Sequence, residues 1–140
     1  PPYRSANRPL TDVSELALVR GFDEHVRMRL SPFVSALPRA TAINVNTAPP
    51  EVLVAIIDGL TLDDARSLAT RRERIYFRDR SDFWGALPRG VAESDEDLSV
   101  SSDYFQTRLQ VTIGDAQANG VALLERRGTA WPVVVWRKTL

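Results

Sequence analysis

Residues 43–72 carry the clearest structural signal of this 140-residue chain: two short amphipathic helices on either side of a glycine. Thr47 is the predicted N-cap of the first helix, because its hydroxyl can accept a hydrogen bond from an unpaired N–H of the first turn. Pro49 and Pro50 then fall in the first turn, where a missing N–H costs little. Gly59 supplies the positive φ that ends the helix, so the two helices are expected to form an αα-hairpin.

The second helix of this pair has a complete N-terminal signal. Thr61 is its predicted N-cap, and Asp64 stands at the return position of a capping box. Asp63 and Asp64 also place negative charge near the positive end of the helix dipole. The side chains expected to face inward are Leu62, Ala65, Leu68 and Ala69.

The preceding residues have the same layout. Asp12, with Glu15 at capping-box spacing, starts a predicted helix that reaches Gly21, and Asp23 caps a second helix that runs to about Leu30. The order of cap, helix, glycine, cap and helix is therefore the same as in the later pair. It suggests a pseudo-repeat of about 35–40 residues, although two unrelated helix pairs would give the same order.

Two more short helices are predicted from serine caps. Ser31, with Pro32 at the first helical position, starts a helical turn over residues 33–37. Ser81 caps a further helix, which Pro88 ends. The inward side chains of that helix are Phe83, Trp84 and Leu87.

From residue 98 the hydrophobic period changes from that of helices to that of strands. Side chains alternate over residues 107–113, and β-branched residues are frequent. Residues 114–120 (GDAQANG) are the predicted turn, a second strand follows from Val121, and a last strand covers residues 131–138. Helices followed by three antiparallel strands make an α+β chain.

The acidic residues 91–97 (VAESDED) are the best candidate for a domain boundary. We therefore expect a helical domain at residues 1–90 and a strand domain at residues 98–140. Because three strands alone are marginally stable, the second domain needs a helix or further strands to pack against.

Composition argues against two classes of function. Eighteen basic and eighteen acidic residues cancel, so the net charge gives no long-range attraction to nucleic acid or anionic lipid. His25 is the only histidine, and no catalytic motif surrounds it. We therefore predict that the chain is not an enzyme.

Acidic and aromatic side chains provide the candidate binding residues. The possible oxygen ligands for Ca²⁺ are Glu93, Asp95, Asp97 and Asp103. Since no EF-hand spacing is present, we expect no cofactor by default. Trp131 and Trp136 are the candidate partner-binding residues. Five positions apart on one strand, they point to opposite faces, so that one can pack on the helices while the other meets a partner.

The alternative function is DNA binding. Residues 44–48 (NVNTA), followed by helix, glycine and helix, resemble helix-hairpin-helix proteins of the competence type, which hold a phosphate against backbone N–H groups. In this chain the glycine turn is flanked by Asp58, Asp63 and Asp64, whose carboxylates would face the phosphate. With a net charge of zero, this argues against nucleic acid as a partner.

A second resemblance extends over nearly the whole chain. Residues 43–49 (INVNTAP) resemble the general secretion pathway protein K family, the large minor pseudopilins of the bacterial type II secretion system. The structural motif that we assign to this region consists of Asn44, Asn46, Thr47, Pro49 and Gly59. The match continues at residues 19–21 (VRG), 98–105 (LSVSSDYF) and 123–126 (LLER).

The resemblance implies an architecture and a role. A hydrophobic helix, expected to precede residue 1, anchors the full-length subunit in the inner membrane of a Gram-negative bacterium. A SAM-like or helix-hairpin-helix-like domain of packed helix-turn-helix units is inserted in a pilin-type sheet. The subunit is expected in the periplasm at the pseudopilus tip, bound to minor pseudopilins I and J and open to contact with secreted exoproteins. It would cap the fibre and help to start its assembly for protein export across the outer membrane.

Overall fold

In the computed structural model, which describes residues 7–91 and 98–140, the chain consists of a helical part and a three-stranded sheet. The helices are a 3₁₀ helix at Val13–Leu18, α1 at Glu24–Leu30, α2 at Pro50–Ile56, α3 at Leu62–Arg74 and α4 at Arg80–Trp84. The strands are β1 at Ile43–Asn44, β2 at Leu98–Ser99, β3 at Tyr104–Ile113, β4 at Ala116–Glu125 and β5 at Val133–Thr139. The predicted α+β class, with three antiparallel strands after the helices, is confirmed.

The hydrophobic core lies between α2, α3, α4 and the segments that border them. Phe77 and Phe83 are its largest fully buried side chains, and their rings meet edge to face with 5.2 Å between centroids. Trp84 and Leu87 pack against this core, as predicted. The predicted inner face of α3 is also confirmed: Ala65 and Leu68 are buried, while Leu62 and Ala69 are half-buried.

The predicted turn and cap between α2 and α3 are confirmed. Gly59 has φ +79°, and Thr61 is the N-cap of α3. The Asp64 N–H donates to Thr61 Oγ1 at 3.2 Å. The Asp64 carboxylate accepts from the Thr61 hydroxyl, so the capping box closes through side chains.

The prediction that Thr47 caps α2 is wrong. Pro49 is the N-cap, and α2 begins at Pro50 without a side-chain cap. The residue before a proline is driven out of the α region, which makes Pro49 extended (φ −57°, ψ 151°) and moves the start of the helix past it. Thr47 lies in the preceding turn, and its hydroxyl donates to the Asn44 carbonyl at 3.4 Å.

Both serine caps are also wrong. The N-cap of α4 is Asp79, whose Oδ1 accepts from the Asp82 N–H at 2.8 Å, two residues before Ser81. Ser31 ends α1 instead of starting a helix, because its N–H donates to the Arg27 carbonyl and continues the hydrogen bonds of α1. Residues 33–37 consequently form no helix.

The first helical unit shares the layout of the second but not its core. Asp12 and Asp23 cap their helices as predicted, and Gly21 has φ +94°. Neither the 3₁₀ helix nor α1 contains a buried residue, so little packing is available to lengthen them, and the first stays a short 3₁₀ helix. The proposed pseudo-repeat is therefore visible in element order and not in packing.

The sheet has the order β3-β4-β5, and all its strands are antiparallel. The predicted turn at residues 114–120 is too long. Ile113 pairs with Ala116, so that only Gly114 and Asp115 form the turn. Asn119 and Gly120 are of types common in turns, but pairing with β3 keeps residues 116–120 in β4.

The short strands β1 and β2 flank the core helices in the chain: β1 precedes α2, and β2 follows α4. They pair in parallel, with Ile43 opposite Leu98 and Asn44 opposite Ser99. Leu98 is buried in the helical core, so the chain returns to the helical part before it enters β3. The division at residues 91–97 stays a prediction, because residues 92–97 lie outside those described.

Candidate interaction surface

The two asparagines of the 44–49 turn tie distant segments together. The Asn46 side chain accepts from the Phe77 N–H at 2.8 Å and donates to the Phe77 carbonyl at 2.9 Å. It also reaches the Val100 carbonyl at 3.4 Å. Asn44 donates from its side chain to Ser102 Oγ at 3.0 Å. We call the paired contacts of Asn46 with Phe77 the Asn46 clamp.

Arg72 supports the same turn from α3. Its Nη1 donates to the Val45 carbonyl at 2.7 Å, and partial burial lowers the pKa of the guanidinium. Asn44 and Asn46 therefore stabilise the fold, and their side-chain amides are occupied by these hydrogen bonds. Sequence reasoning marked Asn44 and Asn46 but could not find their partners, which lie up to 58 residues away.

Along β3 and β4, one face of the sheet carries almost only apolar side chains. Because side chains alternate along a strand, the β3 residues on this face are Phe105, Thr107, Leu109, Val111 and Ile113. Their partners on β4 are Leu124, Ala122, Gly120, Ala118 and Ala116. We call these residues the apolar face. Leu109 is 59% exposed and Ile113 is 76% exposed, so the face lies open in this chain.

The side chains of the apolar face differ in size between its two strands. Most of its β4 residues are small, whereas most of its β3 residues are large. Exposed apolar patches of this kind mark interaction sites, since soluble proteins rarely leave them uncovered. The apolar face is therefore the main candidate site of the chain.

The opposite face of the sheet packs toward the helical part. Leu123 is buried there, and its register partner is Trp136. Trp136 is half-buried and lines a cavity of about 430 Å³ together with Leu10 and Leu37. This tryptophan therefore faces the interior of the molecule.

Trp131 lies outside the strand in which it was predicted. The last strand begins at Val133, because Pro132 has no N–H for the ladder. The argument that placed Trp131 and Trp136 on opposite faces of one strand is therefore wrong. Trp131 is 91% exposed because it lies in the connection between β4 and β5. Partner binding by either tryptophan stays a prediction.

A group of charged residues joins the helical part to the sheet. Arg39 Nη2 lies 2.9 Å from Asp103 Oδ2 and 3.3 Å from Glu125 Oε1. The Asp103 carboxylate raises the pKa of Arg39. Arg127, with Arg39 and Tyr104 as further donors, lowers the pKa of the Glu125 carboxyl. We call these residues the Arg39 junction.

A second ionic contact links the same two parts. The Lys138 ammonium on β5 donates to the Asp12 carboxylate at the start of the 3₁₀ helix. This contact, with the Ser14 N–H, holds the pKa of Asp12 well below its ordinary range. No sequence pattern indicated the Arg39 junction or the Lys138–Asp12 contact, because their members are far apart in the chain.

The calcium candidates fall mainly outside the described residues. Glu93, Asp95 and Asp97 belong to the undescribed segment, and the Asp103 carboxylate accepts from Arg39. Within residues 7–91 and 98–140, no three His, Cys, Asp or Glu side chains are grouped to hold a metal ion. The calcium site therefore stays a prediction.

The glycine turn between α2 and α3 gives no support to DNA binding. Asp58 and Asp63 are exposed beside it, and the Thr61 hydroxyl is occupied by Asp64. A phosphate at this turn would meet carboxylates instead of cations. Across the described ranges, no helix is long and apolar enough to cross a membrane.

Two family models with the description "Type II secretion system (T2SS), protein K" match the chain, one at residues 43–112 and one at residues 1–39. Type II secretion system protein K of Pseudomonas aeruginosa is 38% identical over 127 residues, which cover 90% of this chain and 38% of that protein. The protein of the same name from Klebsiella pneumoniae is 35% identical over 142 residues, covering 96% of this chain and 44% of the relative. The chain thus spans about two fifths of the length of these relatives.

A solved structure has the same fold. The chain is similar to one chain in the crystal structure of the GspK–GspI–GspJ complex from the type 2 secretion system of enterotoxigenic Escherichia coli. The TM-score is 0.74 at 30% sequence identity, and the similarity covers 99% of this chain and 51% of that chain. The chain described here belongs to the type II secretion system protein K family.

Proposed function

We propose that this chain is the periplasmic, C-terminal portion of a minor pseudopilin that sits at the tip of the type II secretion pseudopilus. Its role is binding, and we assign it no reaction. The full-length subunit is anchored in the inner membrane by a helix outside this chain. The partners are minor pseudopilins I and J, and contact with secreted exoproteins is compatible with the tip position.

The apolar face is the single observation that carries this proposal. A three-stranded sheet with an open apolar side is marginal by itself and needs a packed element. An α-helix that lies over the small residues of β4 would supply it. We assign this cover to the helix that precedes this chain in the full-length subunit, in agreement with relatives of more than twice this length.

The cover predicted for the apolar face is tested with Leu109→Asp. In this chain Leu109 is 59% exposed, so the substitution should change the free energy of unfolding by less than about 1 kcal/mol. In the complete periplasmic portion the same carboxylate would be buried without a partner, at a cost of about 3 kcal/mol or more. The control is Gln110→Asp on the opposite face, with a small effect in both proteins. Equal effects of Leu109→Asp in both would refute the assignment.

The partners are tested by co-elution of this chain with the soluble heads of minor pseudopilins I and J. A DNA duplex of about 30 base pairs at low salt serves as the competing ligand, where phosphate contacts are strongest. A stable complex with the heads and no DNA binding supports the proposal. DNA binding that weakens with salt, without a complex, would favour the helix-hairpin-helix alternative.

The predicted mechanism of capping is steric. A bulky helical part between sheet segments leaves no room for another subunit to stack, so the fibre ends there. Removal of residues 12–87 from the full-length subunit should allow it to enter the body of the fibre, which electron microscopy with a labelled subunit can detect. If the shortened subunit stays at the tip, bulk is not the cause.

A further inference from the structure

The connection between α3 and α4 presents two large apolar side chains to solvent. In this connection, residues 75–79, Ile75 is 70% exposed and Tyr76 is 67% exposed. They are adjacent in sequence, and both lie outside the core that the neighbouring Phe77 enters. We call residues 74–80 the arginine loop, because an arginine stands at each end.

The arginine loop is fixed to the core through Phe77. Phe77 is 1% exposed, and both its N–H and its carbonyl are bound by the Asn46 clamp. The Arg71 guanidinium also lies over the Phe77 ring, 5.5 Å from its centroid. The two exposed side chains therefore project from a fixed base, so little conformational entropy is lost when they bind.

The charge around Ile75 and Tyr76 is positive. Arg74 and Arg80 are exposed and have no ion pair within the part of the chain that the structure describes. The Asp79 and Asp82 carboxylates keep their negative charges while they accept backbone N–H groups. Together with Glu73 they leave residues 71–82 with an excess of two positive charges. Two arginines at this end of α3 are therefore available to an anionic partner.

The opposite end of α3 is acidic. Asp58 and Asp63 are exposed there, about 20 Å from the arginine loop along a helix of 13 residues. The chain as a whole has no net charge, so this separation does not attract it from a distance. It does orient the molecule, because an anionic surface attracts the arginine end and repels the aspartate end.

We propose that the arginine loop is a membrane-contact site that inserts Ile75 and Tyr76 into the interface of a bilayer with anionic phospholipids. Tyrosine suits the headgroup level, isoleucine the apolar boundary below it, and arginine the lipid phosphates. Two side chains form a patch far smaller than the roughly 800 Å² per partner of stable protein interfaces. A bilayer accepts so small an insertion, since it requires no matching shape, and each nearby arginine adds affinity.

The test measures co-flotation of this chain with vesicles of equal parts phosphatidylglycerol and phosphatidylethanolamine, and with vesicles of phosphatidylcholine alone. We expect binding to the first kind only, with a decrease as salt is added. Arg74→Gln with Arg80→Gln should weaken binding about 30-fold, from about 1 kcal/mol for each arginine near an anionic surface. The matched control, Arg108→Gln with Arg137→Gln, removes two exposed arginines of the sheet and should leave binding unchanged.

The apolar contribution is tested separately. Ile75→Ser with Tyr76→Ser should abolish flotation, while Leu109→Ser with Val111→Ser on the apolar face should not. In the variant Tyr76→Trp, fluorescence at position 76 should shift to shorter wavelength and be quenched by brominated lipids. Flotation that depends on Leu109 and Val111 instead would overturn the proposal. No flotation, with retention of the chain on immobilised polyglutamate, would also overturn it and would indicate an acidic protein as the partner.

Discussion

The Asn46 side chain pairs with the backbone of Phe77 as a neighbouring strand would in a sheet. Its side-chain amide presents an oxygen acceptor beside an N–H donor, as a peptide group does, and the Phe77 N–H and carbonyl bind to them. The backbone of residue 77, which is not part of a strand, is thereby paired. Because the Phe77 side chain is buried in the core, the clamp also fixes one of the largest core residues.

Removal of this amide should be costly. Asn46→Ala leaves the Phe77 N–H and carbonyl without their partner, and we expect a loss of about 2–3 kcal/mol in the free energy of unfolding. Denaturant unfolding followed by circular dichroism measures it.

The control for Asn46→Ala is Thr47→Ala. Thr47 is not the cap of α2, and within the described residues its hydroxyl makes one hydrogen bond, at 3.4 Å to the Asn44 carbonyl. The loss should stay under about 0.5 kcal/mol. A loss near 1 kcal/mol, which is typical of a true N-cap, would contradict the assignment of the cap to Pro49.

At the scale of elements, the helix starts show which residue holds each first turn. Thr61 caps α3 and Asp79 caps α4, each by accepting from the N–H three residues later. Ser81 lies inside α4, where its hydroxyl has no capping role. Thr61 is therefore a confirmed cap, Asp79 is a cap that sequence reasoning missed, and Ser81 was wrongly predicted as a cap.

Alanine substitution distinguishes these caps. Thr61→Ala and Asp79→Ala should each lower the free energy of unfolding by about 1 kcal/mol, and Ser81→Ala by less than about 0.5 kcal/mol. Chemical denaturation with a common slope for all variants is the measurement. A larger effect of Ser81→Ala than of Asp79→Ala would reverse the assignment.

Features set by neighbouring residues were predictable, and features set by distant pairing were not. Gly59 and the caps at Thr61 and Asp23 were correct because the signal for each lies within a few residues. The predicted turn at residues 114–120 was too long, because residues 116–120 belong to a strand through their pairing with β3. The Asn46 clamp joins residues 31 positions apart, so only the residue type pointed to a role.

At the scale of the whole molecule, the helical part and the sheet meet through charged groups and through Leu123 and Trp136. The Arg39 junction and the Lys138–Asp12 contact both lie at least partly in solvent. Contacts of this kind contribute little each, so we expect the two parts to be less firmly joined than either is internally.

The Lys138–Asp12 contact gives a pH dependence with a definite sign. The folded-state pKa of Asp12 is lowered, so the stabilisation is complete above its ordinary value of 3.8 and is lost as the pH falls below it. The difference in unfolding free energy between the native chain and Lys138→Gln should be at most about 1 kcal/mol at pH 7, and it should vanish in strong acid.

Unfolding of both proteins between pH 7 and pH 2 measures this difference. Arg137→Gln is the control, since Arg137 neighbours Lys138 on β5 and has no ion pair within the described residues. The control should show no pH-dependent difference from the native chain. A difference for Lys138→Gln that grows as the pH falls would contradict the expected sign.

The parallel pairing of β1 and β2 also sets the response of the chain to a pulling force. Force that enters before residue 43 and leaves after residue 99 pulls the two strands past each other, so their hydrogen bonds are loaded together in shear. Helices α2, α3 and α4 lie between these two strands in the chain, so they carry no force while the strands stay paired. While β1 and β2 stay paired, the helical core between them remains unstretched, so its helices keep their shape under a force that would extend an unpaired chain.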